Sequence, residues 1–183
     1  IIYYDQLAKT VELARYHWQR QYSWPLAVRF HRVVPVYFMR DDHDTWVNDC
    51  WPTLDSPFMH EFTFRQGQAI FAEQTPLIGP TWRTFRWGRD LQIWLVEGRD
   101  FRSPNEAPDG PEKTIWGAEQ KAWVKTTLAA SDATFRVMIS PTPIVGPDRS
   151  NKADNHSNFA FAHEGRELRA FLGGQKNTLV LCG

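Results

Sequence analysis

The segment RDDHDTWVND, residues 40–49, gathers Asp41, Asp42, His43, Asp44, Asn48 and Asp49 in one short stretch. Carboxylate, imidazole and amide oxygen together suit hard or borderline cations such as calcium, iron, manganese or zinc. The same residues would also make a solvated acidic loop whose Asp and Asn side chains cap a helix, and one loop rarely supplies a whole site. The spacing is not that of an EF-hand, which alternates acidic ligands, requires a Gly and closes on a distant Glu.

Two further stretches carry chemistry. NKADNHSN, residues 151–158, places His156 between Asn155 and Asn158 in a polar loop, where an imidazole could contact a phosphate or hold a metal-bound water. Turn formation by Asn and Asp is the plainer account of the same residues. EGRDFRS, residues 97–103, sets Arg99 and Arg102 just past an apolar run. Guanidinium matches phosphate oxygens, and a structural ion pair with a buried carboxylate would explain these arginines equally well. Trp46 and Trp51 flank the acidic loop; nine tryptophans in all suit core or interface packing, with a carbohydrate platform as a rarer use. His17, His31, His60 and His163 lack clustered partners in sequence and read as structural.

The elements that must position these groups follow from periodicity. Leu7, Val11, Ala14 and Trp18 recur at helical spacing and predict a helix to about Gln21. PVYFM, residues 35–39, reads as a strand feeding the acidic loop. A second helix is expected across residues 62–74, stopped by Pro76. WRTFRW and LQIWLV around Gly88-Arg89-Asp90 predict a hairpin. Gln120, Trp123, Val124, Thr127 and Leu128 share a helix face, and FRVMIS follows as a buried strand. After the long loop PTPIVGPDRSNKADNHSN, HEGRELRAFL reads as a helix stopped by Gly173 and Gly174, and TLVLC as a final buried strand. This alternation predicts an α/β domain in which loops at strand C-termini collect ligand-binding groups.

Composition narrows the function classes. A chain of 183 residues and 21.3 kDa with 42% hydrophobic residues is one domain's worth of sequence with enough apolar material for a core. Lys and Arg total 21 and Asp and Glu total 21, so no global field favours nucleic acid or an anionic membrane. No apolar run is long enough to span a bilayer, and the N-terminus has no export-signal pattern. Cys50 and Cys182 are too few for a disulfide framework. The opening IIYYD without Met and the closing NTLVLCG read as cut ends, as in a processed or truncated protein.

Four segments, in order along the chain, carry a resemblance: IIYYDQ, PVYFMRDDHDTWVND, EGRDFRS and KTIWGAEQKAWVKTTLAAS. Together they resemble the PhoD-like alkaline phosphatase D family of the calcineurin-like metallophosphatase superfamily. The resemblance implies a metallophosphatase-like layered α-β-β-α sandwich, incomplete at both ends, with residues 1–183 as the central part of a single catalytic domain. It implies a metal-dependent phosphoesterase acting on a small phosphorylated substrate, with Fe3+ and Ca2+, or another divalent pair such as Zn2+ or Mn2+, as cofactors. Tyr3 and Asn48 would be metal ligands, Asp42 and His43 catalytic groups, and Arg99 and His156 substrate contacts. It further implies a metal-bridging Asp before Ile1, an Asp-x-His after Gly183, and export to the periplasm or outside the cell. Glu97-Gly98 departs from the family's Asp-Thr, and PTP stands where many metallophosphatases carry a metal-binding His. A non-catalytic module of the same fold, binding a glycan or protein partner, is the alternative reading.

Overall fold

The computed structural model describes residues 8–146 and 148–183, so Leu7 and Tyr3 lie outside the described residues. The chain divides into two compact units, Ile1–Gly79 and Pro80–Gly183.

In the first unit, helix α1 (Val11–Tyr22) starts at Thr10, whose hydroxyl accepts the Leu13 N–H at 3.2 Å. The expected face is inward, with Ala14 and Trp18 buried. Helix α2 (Pro25–His31) follows with Pro at its start and buries none of its side chains. Residues 35–39 form no strand: the segment runs without a ladder partner into the short helix α3 (Asp42–Thr45). A β-prone run needs a neighbouring strand to pair with, and among the described residues every ladder belongs to the second unit.

Helix α4 (Phe64–Gln74) opens on a capping box, the Gln66 N–H donating to Thr63 Oγ1 at 3.3 Å and the Thr63 N–H to Gln66 Oε1 at 2.8 Å. It ends where Thr75 donates its hydroxyl back to the Phe71 carbonyl, just before Pro76. The ring of Phe71 meets Trp18 edge-on at 6.0 Å, and Arg15 forks onto Glu73. Trp18, Trp46, Met59, Phe62, Ile70 and Phe71 make the core of this unit. Each such side chain contributes about 1.5–3 kcal/mol on leaving water.

The second unit is built on a four-stranded sheet in the order β1-β2-β3-β4. Strands β1 (Arg83–Trp87) and β2 (Leu91–Leu95) form the predicted hairpin, with Phe85 opposite Ile93 and Gly88 in the left-handed region at φ 58°. Strand β3 (Phe135–Ser140) pairs parallel with β2, and β4 (Thr178–Cys182) parallel with β3. Parallel neighbours require crossovers, supplied by helices α5 (Gly117–Ala130) and α6 (Ala162–Gly173). Trp94, Trp116, Val124, Leu128, Met138 and Leu168 are fully buried in its core.

This topology puts the C-terminal ends of β2 and β3 at the same end of the sheet, so residues 97–103 and the loop after Ser140 both leave from it. The last strand departs from expectation: Leu179 and Leu181 are exposed at 54% and 46%, so among the described residues TLVLC is an edge strand with one open face rather than a buried one. Among the described residues no helix is long and apolar enough to cross a membrane.

Candidate functional site

The acidic loop is shaped by one carboxylate. Asp42 Oδ1 accepts the N–H of His43 and Oδ2 the N–H of Asp49, both at 2.8 Å, while the buried Cys50 thiol approaches the Asp42 carbonyl at 3.8 Å. Asp49 sits at φ 54°, a left-handed turn that an Asp side chain tolerates better than most. Asp41 and Asp44 close a capping box around α3. Thr45 then ties it down, donating to the Asp41 carbonyl and accepting from Arg40 Nη1, each at 2.6 Å. Asp42 and Asp44 are each 7% exposed, His43 is half-buried and Asn48 is exposed. The helix-capping account of this loop therefore applies to Asp41 and Asp44, and the Asn48 side chain lies at the surface. Asp42 and Asp49 also hold carboxylate oxygens within 4.8 Å of one another.

The close approach of α4 to this loop depends on a missing side chain. A Cβ on Gly67 would lie 1.6 Å from the Thr45 carbonyl oxygen. Burial, with a contribution from the Asp44 charge, raises the Tyr22 phenol above its usual range.

In the second unit, Glu97 builds the turn after β2. Its carboxylate accepts the N–H of Arg99 at 2.9 Å and of Asp100 at 2.7 Å. Gln120 on α5 donates Nε2 to the Glu97 carbonyl at 2.9 Å and accepts the Glu97 N–H at 2.7 Å. Arg99 is 1% exposed and reaches Asp154 Oδ2 at 3.5 Å. Arg102 donates to the Asp154 carbonyl at 2.7 Å and to Asn105 at 2.8 Å, with its guanidinium over the Phe161 ring. Both arginines of EGRDFRS thus converge on Asp154.

His156 has no exposed surface. Its Nε2 lies 2.9 Å from Glu164 Oε2, its ring meets Trp116 edge-on at 5.4 Å, and its carbonyl accepts from Arg169 at 2.7 Å. Glu164 in turn accepts the Thr114 hydroxyl and the Ile115 N–H, and Lys121 lies 3.6 Å away. Burial would raise the Glu164 carboxyl, yet the hydrogen bond and charge of His156, together with the bonds from the Ile115 N–H and the Thr114 hydroxyl, bring it down to about 2. Burial depresses the His156 imidazole against the opposing pull of Glu164.

The structure brings Asp42, His43 and Asn48 into one loop in the first unit, and gathers Arg99 and His156 around Asp154 and Glu164 in the second. Tyr3 lies outside the described residues. Sequence reasoning passed over Asp154 and Glu164. Glu164 was legible as a carboxylate on the face that carries Leu168 and Leu172, where a charge signals a buried partner. Asp154 carries no such signal, since its partners come from across the β2 end.

Comparison with known proteins follows the same lines. No curated protein sequence matches the chain. A solved structure titled "Structure of PhoD" superposes with a TM-score of 0.63 at 17% identity, over 78% of this chain. The chain spans about a third of that protein's length, at 33%. The shared architecture is therefore the mixed α/β, metallophosphatase-like fold. The sequence pattern of PhoD-like phosphatases matches residues 4–182, from before α1 to the end of β4, and on that extent the chain belongs to the PhoD-like phosphatase family.

Proposed function

We propose that the protein containing this chain is a metal-dependent phosphoesterase that hydrolyses phosphomonoesters or phosphodiesters of small substrates. Family membership over nearly the whole chain carries this reading. The acidic loop supports it. Asn48 offers an exposed amide oxygen, and Asp49 holds a carboxylate oxygen near that of Asp42, an all-oxygen donor set that fits a hard cation. Asn48 and Asp49 would hold a metal ion, with Tyr3 as the further ligand implied by resemblance and Fe3+ with Ca2+, or another divalent pair such as Zn2+ or Mn2+, as the ions. When bound, such ions supply Lewis-acid polarisation of a phosphoryl oxygen and lower the pKa of water.

The chain's own residues supply the rest. Asp42 fixes the loop backbone on both sides of Asn48, which sets the direction in which the amide points. His43, half-buried at the start of α3, would give a proton to the leaving oxygen or hydrogen-bond a phosphate oxygen. Arg99 and His156 are sealed from solvent, so we assign both to positioning. Arg99 holds Asp154, and His156 locks the loop after β3 onto α6 through Glu164.

The test is elemental analysis of the full-length protein together with hydrolysis of p-nitrophenyl phosphate and bis-p-nitrophenyl phosphate, with and without chelator. Bound metal with chelator-sensitive turnover supports the reading. A folded, metal-free and inactive protein would overturn it in favour of a binding module.

A further inference from the structure

Formal charge is zero over the whole chain but unevenly spread. Residues 13–40 hold five arginines and two histidines and no Asp or Glu. Arg15 is neutralised by Glu73 on α4, and Arg40 is buried. Arg20, Arg29 and Arg32 are exposed, and among the described residues none of the three takes part in an ion pair.

The apolar pattern of the same stretch is inverted. Leu26, Phe30 and Val33 fall at i, i+4 and i+7, the spacing that normally marks a core face. Here they are exposed at 76%, 51% and 79%, and Trp24, just before α2, is exposed at 54%. The backbone holds this arrangement without help from burial: Pro25 starts the helix, and the Val33 and Val34 N–H groups both bond the Phe30 carbonyl. A short helix with no buried side chain, an aromatic and aliphatic stripe outward and exposed guanidinium groups beside it is the composition of an interfacial segment. Trp and Arg are the residues that sit at the boundary between hydrocarbon and headgroups, the indole straddling it and the guanidinium pairing with phosphate.

We propose that residues 24–34 are a docking surface for an anionic lipid bilayer, with Trp24, Leu26, Phe30 and Val33 entering the headgroup boundary and Arg20, Arg29 and Arg32 contacting lipid phosphates. The charge pattern selects this occupant. A second copy of the same face would oppose like charges, and an acid-free cationic stripe is complementary to an anionic surface. The surface belongs to the first unit and does not depend on the hydrolytic reading.

Co-sedimentation of the full-length protein with vesicles tests it, using phosphatidylcholine alone and phosphatidylcholine mixed with phosphatidylglycerol. The expected result is binding to the anionic vesicles on the order of tenfold or more tighter than to the neutral ones, weakened by added salt. Leu26→Ser with Phe30→Ser, and separately Arg29→Glu with Arg32→Glu, should each abolish the difference while leaving circular dichroism and the thermal midpoint unchanged, because all four side chains are exposed. Absence of vesicle binding overturns the proposal, as does equal binding by the parent and either variant. Concentration-dependent dimerisation that disappears in the Leu26→Ser, Phe30→Ser variant, with no vesicle binding, would identify a second copy as the occupant instead.

Discussion

Asp42 uses both carboxylate oxygens on backbone N–H groups, one at His43 and one at Asp49, and so holds a loop rather than standing as a lone acid. Asp42→Ala strands these two donors. A cost of about 1–3 kcal/mol for each is expected, read as a lowered urea midpoint with an unchanged denaturant slope. Asn48 has an exposed side chain, and Asn48→Ala should lower the metal content of the purified full-length protein, read by elemental analysis. Stability loss in Asn48→Ala with metal retained would remove Asn48 from the ligand set.

The His156–Glu164 pair sets a pH dependence whose sign can be worked out. The folded His156 imidazole titrates below its ordinary value of 6.5, so as pH falls through that value the unfolded chain takes up a proton that the folded one refuses. Glu164 is depressed from 4.5 to about 2, so its contribution is full above 4.5 and is lost as pH falls from there towards about 2. Both limbs destabilise the fold on acidification, the histidine limb first. Urea midpoints measured from pH 7.5 to pH 5, a window set by the ordinary histidine value, should fall in the parent chain and fall less steeply in His156→Gln. An unchanged slope in His156→Gln would mean that another group carries the dependence.

At the scale of elements, two glycines allow backbones to meet. A Cβ on Gly67 would stand 1.6 Å from the Thr45 carbonyl oxygen, and one on Gly165 would stand 2.1 Å from that of His156. Neither obstacle is a flexible side-chain end, so whole elements must shift. Gly67→Ala and Gly165→Ala should each destabilise by about 1–3 kcal/mol or more, despite alanine's better helix propensity. Gly67→Ala displaces the acidic loop in particular and should also reduce turnover. Gly173, at the end of α6, has open space around its Cβ position and serves as the control: Gly173→Ala should be close to neutral by the same thermal melt.

At the scale of the molecule, the two apolar cores consist of aromatic and aliphatic side chains. Neither Asn48 nor Asp49 belongs to either. Chelation of the full-length protein should therefore abolish phosphate ester hydrolysis while far-ultraviolet circular dichroism stays the same. Collapse of secondary structure on chelation would show that metal binding and folding are linked. A chain of zero formal charge has no global field to draw in an anionic substrate. On the proposed readings local charge would act instead, at the metal site toward phosphate esters and around residues 24–34 toward a lipid surface.

Local pattern alone determined the helices around Ala14 and Trp18, Ile70 and Phe71, Val124 and Leu128, and Leu168 and Leu172, because helical periodicity and capping act within a few residues. The hairpin around Gly88 was legible for the same reason, as were the acidic loop and the family it resembles. What residues 35–39 would do was not, since a strand exists only if another chain segment pairs with it. Nor was the edge position of TLVLC, which depends on its place in the sheet. The burial of His156 against Glu164, and the convergence of Arg99 and Arg102 on Asp154, were decided by the parallel crossovers that bring the C-terminal ends of β2 and β3 to one end of the sheet. Tertiary structure also decided that the apolar spacing of Leu26, Phe30 and Val33 faces water. Periodicity states which residues share a face, and only packing determines whether anything covers it.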